Sequence, residues 1–339
     1  MKKKRFASIL LAAPLVLLAA CSSTPSLELN QNWLYNTGLK DIPENFEETL
    51  EYAVSFEKSS SAVKGKFSMD YPEGGTYKTT FKSTSLNGQK RYVYETELSV
   101  KVEYTLGTET KSMDSSVTTH VEFLSVQDNL KPLSSWREAH GPVPVTEPYN
   151  PPSSIEKGYQ QYDYRIEISY DYDTSKANFK RIYLNPAKSE NASESEEPEN
   201  NTESKQIKLK SKAFIFDNEQ LIPALRAMDL SSSPSFYSID FQTNSLDKIS
   251  TQGKPTNVDS WKQTVKVGDE EAKEQEFKAT TINIAYNKKK RGGIQTFTLA
   301  RRDSADHDRF RNVVLEYSYP VTYSHGTVTY KLVSANFYN

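Results

Sequence analysis

The stretch Tyr162-Asp-Tyr-Arg-Ile-Glu-Ile-Ser-Tyr-Asp-Tyr-Asp173 alternates almost without error. Tyr162, Tyr164, Ile166, Ile168, Tyr170 and Tyr172 share one parity, and charged or small polar residues fill the other. Side chains on a strand point alternately to opposite faces, so this segment reads as a strand with one wet face and one tyrosine-rich face. The tyrosine face must look at a closed core, a bound ligand or a partner. The order, with isoleucines central and hydroxyl carriers outside, suits a β core whose amphipathic rings edge toward water. A groove holding an acyl chain or a glycan is the alternative, and it makes these six residues the candidate ligand-facing set.

The same period recurs along the chain. Val63, Gly65, Phe67, Met69 and Tyr71 alternate with polar residues, and Tyr77, Thr79 and Phe81 continue the pattern. Asn87-Gly88 is a hairpin turn. It opens a longer alternation, Tyr92, Tyr94, Thr96, Leu98, Val100, Val102, Tyr104 and Leu106, and Val117 to Val126 returns as another strand. An 11-residue run spans about 36 Å, well above the usual strand. Long strands with one apolar face curl, and a curled sheet closes on itself or on a helix. The fold expected is mainly β: long curled antiparallel sheet, half-barrel-like, with two short amphipathic helices as lids.

The first helix is expected from Asp41-Ile-Pro-Glu44, a capping box, through about Lys58, with Phe46, Leu50, Ala53 and Val54 on its apolar face. The second is capped by Asp217 with Gln220 and carries Leu221, Leu225 and Met228; Pro223 should bend or shorten it. Between them, residues 128–158 read as a Pro-rich loop, with prolines at 132, 142, 144, 148, 151 and 152. Residues 185–205 read as a disordered Ser/Glu/Asn-rich loop. The N-X-Ser/Thr matches at Asn191 and Asn200 fall within it. Further strands are expected at 236–242, 259–267, 275–286, 293–302, 310–319 and 327–337. The chain thus divides into 1–20, 21–35, 36–127 (helix plus β-meander), 128–158 and a second β-rich part, 159–339.

The first two segments carry the most specific signal. Lys2, Lys3, Lys4 and Arg5 precede an apolar run from Phe6 to Leu18 that is short for a membrane span and has the layout of a signal peptide. It ends in Leu18-Ala-Ala-Cys21, which resembles the bacterial lipoprotein box. That resemblance implies cleavage before Cys21, a diacylglyceryl group on its thiol and an acyl group, such as palmitate, on its new amino group. Two or three acyl chains would make attachment effectively permanent. Residues 21–35 then form a short tether, with Leu27, Leu29, Trp33 and Leu34 already resembling ordered chain. Ser22, rather than Asp, implies the outer membrane in an organism with two membranes, and otherwise the outer face of the cytoplasmic membrane.

Losing residues 1–20 removes four positive charges, so the formal charge goes from −2 to −6 over the remaining 319 residues. An acidic chain of this kind argues against nucleic acid as a partner. Cys21 is the sole cysteine, so no intrachain disulfide or thiolate site is expected.

Catalytic and phosphate-binding motifs are absent from the sequence. His120, His140, His307 and His325 are scattered and read as solvated surface residues. Asp303-Ser-Ala-Asp-His-Asp308 lacks the glycine and terminal glutamate of a calcium loop and reads as a polar turn. Lys288 to Arg291 reads as a charged hairpin tip. No catalytic residue, metal or cofactor is expected.

The overall pattern resembles, in architecture only, the lipoprotein-carrier class of envelope proteins, which bind acyl chains in a half-barrel. Asn129-Leu-Lys-Pro-Leu-Ser-Ser135, Phe216-Asp-Asn-Glu-Gln-Leu221 with Leu225-Arg226, and Tyr319-Pro-Val321 resemble an uncharacterised bacterial envelope domain family without assigned catalytic residues. The function expected is non-enzymatic: an envelope lipoprotein binding a hydrophobic or glycan ligand, or alternatively an assembly module binding an envelope protein. A carrier predicts an enclosed apolar cavity between sheet and helices. An assembly module predicts a filled core with an exposed apolar patch, and a metal-assisted enzyme predicts Asp303, Asp306 and Asp308 converging with a histidine.

Overall fold

The computed structural model describes residues 27–29, 46–184, 202–211, 213–231, 233–240, 243–287, 293–301 and 310–338. Among these the protein is mainly β, one 17-stranded sheet with two short helices, α1 (Ser60–Lys64) and α2 (Leu221–Ala227). Alternation drives the first half. Strands β3 (Gly75–Leu86) and β4 (Gln89–Leu106) form a hairpin at Asn87 and Gly88, both at positive φ as a tight two-residue turn requires. The 18 residues of β4 span about 60 Å. Strand β2 (Phe67–Asp70) pairs with the far end of β4, and β5 (Glu109–Leu124) pairs along its other edge.

The expected first helix is absent. Residues 41–45 lie outside the described residues, and Glu47–Lys58 forms strand β1. Phe46, Leu50 and Val54 fit a helical stripe, yet they also share one parity with Tyr52, and all four are buried. Glu48 on that same parity hides the alternation from a sequence reader. It is nonetheless buried, because Arg226 of α2 donates to both its oxygens, at 2.5 and 2.9 Å. Ala53, assigned to the helix face, is exposed. Strand β1 pairs on both edges, with β3 and with the last strand, β17 (Gly326–Tyr338). Those two ladders outweigh a weak local propensity.

The Pro-rich loop is also corrected. Pro132–Pro144 forms strand β6, which joins β5 to β7 (Tyr159–Asp171). Its prolines sit where they cost no shared ladder: Pro132 begins the strand, while Pro142 and Pro144 pair with β7 beyond the last β5 partner, His140. Residues 132–144 therefore carry the sheet pairing across from β5 to β7. After β8 (Lys176–Tyr183), residues 185–201 lie outside the described residues, including Asn191 and Asn200. Thr202–Lys208, whose first residues were assigned to the disordered loop, forms strand β9 on β8.

The second half contributes β10 (Ile215–Phe216), β11 (Ser235–Asp240), β12 (Ser245–Thr251), β13 (Thr256–Val267), β14 (Lys273–Tyr286), β15 (Gln295–Ala300) and β16 (Val314–Pro320). Strand β12 has no counterpart in the sequence reading. Hydrogen bonding runs from β14 through β15 and β16 to β17, and β13 joins β14 to β17, closing a five-strand ring. Inside the ring, Gln263 donates to the carbonyls of Leu315 and Leu332, satisfying a buried amide.

The outer ends of the sheet meet through side chains. Asn244 donates to Glu203, and Ile207 and Leu209 pack with Ile215 and Ile239 in a second apolar core. Through the middle of the curl runs segment 217–228. Asp217 and Gln220 form the expected capping box, and every residue of α2 is buried. Pro223 falls in its first turn, where its missing N–H is no loss, and α2 lasts seven residues. This plug touches opposite walls: Gln220 donates to the Leu130 carbonyl, and Tyr286 donates to Asn218. The expected pair of lids is thus one internal plug and a five-residue turn, α1, at the rim.

Candidate functional site

Register places the inward side chains in rows. Tyr77, Leu98, Val117, Ala139, Tyr164 and Tyr183 lie side by side across β3 to β8. The next row holds Thr79, Thr96, Thr119, Arg137 and Ile166. The three threonines are buried, and the hydroxyls of Thr96 and Thr119 lie 2.7 Å apart. A polar layer on the core side of a sheet is unusual, because each hydroxyl must find a partner. Here it lies beside the Tyr77-to-Tyr183 row, whose side chains are on the whole more exposed. Below it, Phe81, Tyr94, Val121, Ile168 and Phe179 seal the interior.

Leu98, Val117, Tyr164, Tyr317 and Tyr319 are only half-buried. Tyr317 lies between Phe297 and Tyr330, at centroid distances of 5.2 and 4.2 Å with near-parallel planes. Tyr77 meets Tyr330 and Tyr317 edge-on. These rings spend their faces on one another and present edges and hydroxyls. Burial pushes the Tyr317 and Tyr330 hydroxyls well above the ordinary phenol range and raises that of Tyr319, so they act as neutral donors and acceptors.

Arg137 supplies a strong charge on this wall, and Arg181, paired with Ile166 in the same row, lies over the Tyr164 ring at 5.9 Å. Both Arg137 contacts to Glu219 of the plug are 3.3 Å, and 21% of the Arg137 side chain remains exposed against 12% for Glu219. Burial works to lower the Arg137 pKa, but Glu219 and the Tyr164 hydroxyl outweigh it and the pKa rises. Beside it, Asp217 accepts from Ser135 at 2.5 Å, from Tyr170 at 2.7 Å and from the Glu219 amide at 2.9 Å. Burial nonetheless pushes Asp217 up to about 6.

The six sequence-selected residues separate into two groups. Ile166, Ile168 and Tyr170 are buried in the second core with Ala177, Phe179 and Ile207. Tyr172 stacks on Tyr170 and donates to the Pro132 carbonyl at 3.0 Å. Tyr164 and Tyr162 are half-buried and meet edge-to-face at 6.1 Å. The Tyr162 hydroxyl is raised by burial and by the neighbouring Tyr164, Tyr183 and Tyr323 hydroxyls. Tyr183 and Tyr323, near Tyr162, are 38% and 47% exposed. Cys21 lies outside the described residues.

Sequence reasoning missed Arg137, Glu219, Tyr317 and Tyr319 as a group. Arg137 and Glu219 are 82 residues apart, and Arg137 fell in the segment read as a loop. The inward parity of Tyr317 and Tyr319 was the available signal.

The histidines differ from one another. His120 and His140 lie on the outer face. His120 bonds Glu95 at 3.1 Å and stacks on Trp136, while His140 sits between Asp163 at 2.7 Å and Glu138 at 3.1 Å. His140 is therefore on a strand and not in a loop. His325, expected at the surface, is fully buried, with Nε2 2.8 Å from the Thr146 carbonyl and its ring edge-on to Phe67. Burial lowers its pKa, keeping it neutral. His307, Asp303, Asp306, Asp308 and Lys288 to Arg291 lie outside the described residues. Among the described residues no cluster of three metal-ligating side chains occurs, and no helix is long and apolar enough to cross a membrane.

An open cleft of about 620 Å³ lies elsewhere, between the N-terminal segment, the end of the plug and strands β13 to β15. Its lining mixes polar and apolar side chains, unlike the enclosed apolar cavity expected of a carrier.

No family model matches the chain, and no curated protein matches it. Among solved structures, it is similar to a β-barrel-like protein of domain of unknown function DUF1849 from Brucella abortus. That match has 10% identity and a TM-score of 0.45, over 88% of this chain and 100% of the other.

Proposed function

We propose that this protein is an exported envelope lipoprotein, anchored through Cys21, that binds a hydrophobic or glycan ligand in the tyrosine-walled recess without catalysing a reaction. One observation carries the binding reading: Tyr164, Arg137, Tyr317 and Tyr319 keep accessible surface on a concave face whose neighbouring rows are sealed. Ligand sites are concave and largely apolar, with a few fixed polar groups. Leu98 and Val117 supply the apolar wall, the phenols supply neutral hydroxyls, and Arg137 supplies a charge already held in place by Glu219. Such a lining suits a ligand that is apolar along one side and hydroxylated along another. The anchor reading rests on Leu18-Ala-Ala-Cys21 and the apolar run before it.

The test is native mass spectrometry on the chain from residue 21 with Cys21→Ser, before and after organic extraction. A co-purifying mass, removed by extraction and weakened about tenfold or more by Tyr164→Ala with Tyr319→Ala, is the expected result. A clean mass that does not shift with added phospholipids or oligosaccharides would overturn the ligand reading and direct the search to an envelope protein partner. Metabolic labelling with palmitate, lost in Cys21→Ser, tests the anchor.

A further inference from the structure

The 620 Å³ cleft is separate from the tyrosine recess and has its own chemistry. The described N-terminal segment passes along it. Leu29 bridges Met228 at the end of the plug, and the Asp229 amide donates to the Glu28 carbonyl at 2.9 Å. Glu28 and Asp229 therefore lie together on one wall, the Asp229 carboxylate held in place by the amide and hydroxyl of Ser231, each at 2.9 Å. Arg301, just after β15, also lines the cleft, its backbone amide bonded to the Lys278 carbonyl at 2.7 Å and its guanidinium 3.7 Å from the exposed Asp259 carboxylate, a loose pair that a phosphate would compete with. Leu29, Met228 and Leu230 give the same cleft an apolar component.

We infer that this cleft binds the headgroup of a zwitterionic phospholipid, a phosphate ester carrying an ammonium. A guanidinium matches phosphate oxygens in fixed fork geometry, and carboxylates match an ammonium. The leucines and methionine then meet the glycerol end, where acyl chains begin. Position agrees with this ligand, a point that rests on the proposed anchor at Cys21. Five residues separate Cys21 from Leu27, six chain steps with a reach of roughly 20 Å at full extension. An acylated Cys21 would hold this end of the molecule against the bilayer surface. The open mouth suits a headgroup that is gripped while its tails stay in the membrane.

The experiment titrates the Cys21→Ser chain with glycerophosphoethanolamine and, separately, with inorganic phosphate, by calorimetry. Vesicles of phosphatidylethanolamine are then compared with vesicles of phosphatidylglycerol, which lacks the ammonium. The expected result is binding of glycerophosphoethanolamine, weakened about tenfold by Arg301→Gln and separately by Asp229→Asn, with preference for phosphatidylethanolamine vesicles. Equal affinity for inorganic phosphate, with no gain from the ammonium ester, would assign the site to free phosphate and overturn the lipid inference. So would binding unchanged in both variants, or no binding at all. Should Arg301→Gln fail to fold, Glu28→Gln with Asp229→Asn reads the opposite wall of the cleft. An unacylated Cys21 with intact, Arg301-dependent binding defeats the anchor reading alone. Palmitate on Cys21 without glycerophosphoethanolamine binding defeats this inference alone.

Discussion

Asp217 holds three roles at one carboxylate: it caps the plug, accepts from Ser135 and Tyr170, and lies beside Glu219. Burial is the largest influence on its pKa and raises it. The Ser135 bond opposes that rise, Glu219 adds to it, and the value reaches about 6 against 3.8 for an unperturbed aspartate. The folded chain therefore binds this proton more tightly than the unfolded chain does. The stability linked to Asp217 is fully present below about 3.8 and is lost as pH rises through about 6. Between pH 7 and pH 5 that linkage should add about 1 kcal/mol. Asp217→Asn keeps a good N-cap residue and removes the titration. Urea denaturation of both proteins at pH 5, 6 and 7 should show the parent gaining about that much more than the variant on acidification. Parallel pH slopes would sink the assignment.

At the scale of elements, β1 is the informative case. Helix and strand make opposite claims about two adjacent residues. A helix puts Ala53 on the apolar face with Phe46, Leu50 and Val54, and leaves Tyr52 to one side. The strand buries Tyr52, whose hydroxyl donates to the Val314 carbonyl at 3.0 Å, and exposes Ala53 opposite Lys331 of β17. Ala53→Glu should therefore change stability by no more than about 0.5 kcal/mol, since it adds an exposed charge facing a lysine. Tyr52→Ala should cost about 3–5 kcal/mol by emptying a core site and stranding a carbonyl. Guanidinium denaturation midpoints read both. A severe Ala53→Glu defect beside a mild Tyr52→Ala defect would contradict the strand. Period two was legible wherever it ran unbroken, as in β4 and β7. In β1 it was interrupted by Glu48, whose partner Arg226 is 178 residues away, and in β6 it was masked by prolines at the ends. Local pattern carries no information about such distant partners. The recess shows the same divide: its tyrosines alternate visibly, but nothing near Arg137 in the chain announces Glu219.

The whole molecule is one ladder closed by its ends. The first strand of the sheet, β1, pairs along its length with the last, β17, and β6 carries pairing across the middle of the chain. The residues read as separate parts, 36–127 and 159–339, thus each contain strands whose partners lie in the other. Cut apart, the first part would lose β17 from one edge of β1 and β6 from one edge of β5. The second would lose β1 from β17 and β6 from β7, with Arg226 left buried and unpaired in the plug. An uncompensated buried charge alone costs about 3–5 kcal/mol, a large share of a typical domain's stability. Expressed singly, the two parts should show the circular dichroism and proteolytic sensitivity of unfolded chains. The chain from residue 21 should unfold in a single cooperative step, with tryptophan fluorescence and circular dichroism superimposing. Of the three tryptophans, Trp33, Trp136 and Trp261, the second lies within 128–158 and the third on β13, so independent halves on either side of that segment would make the fluorescence transition depart from the circular dichroism one. Two resolved transitions, or a part that folds alone with native protection, would show that the halves are independent. Coincident curves would mean that the two halves unfold as one unit through the β1–β17, β5–β6 and β6–β7 ladders.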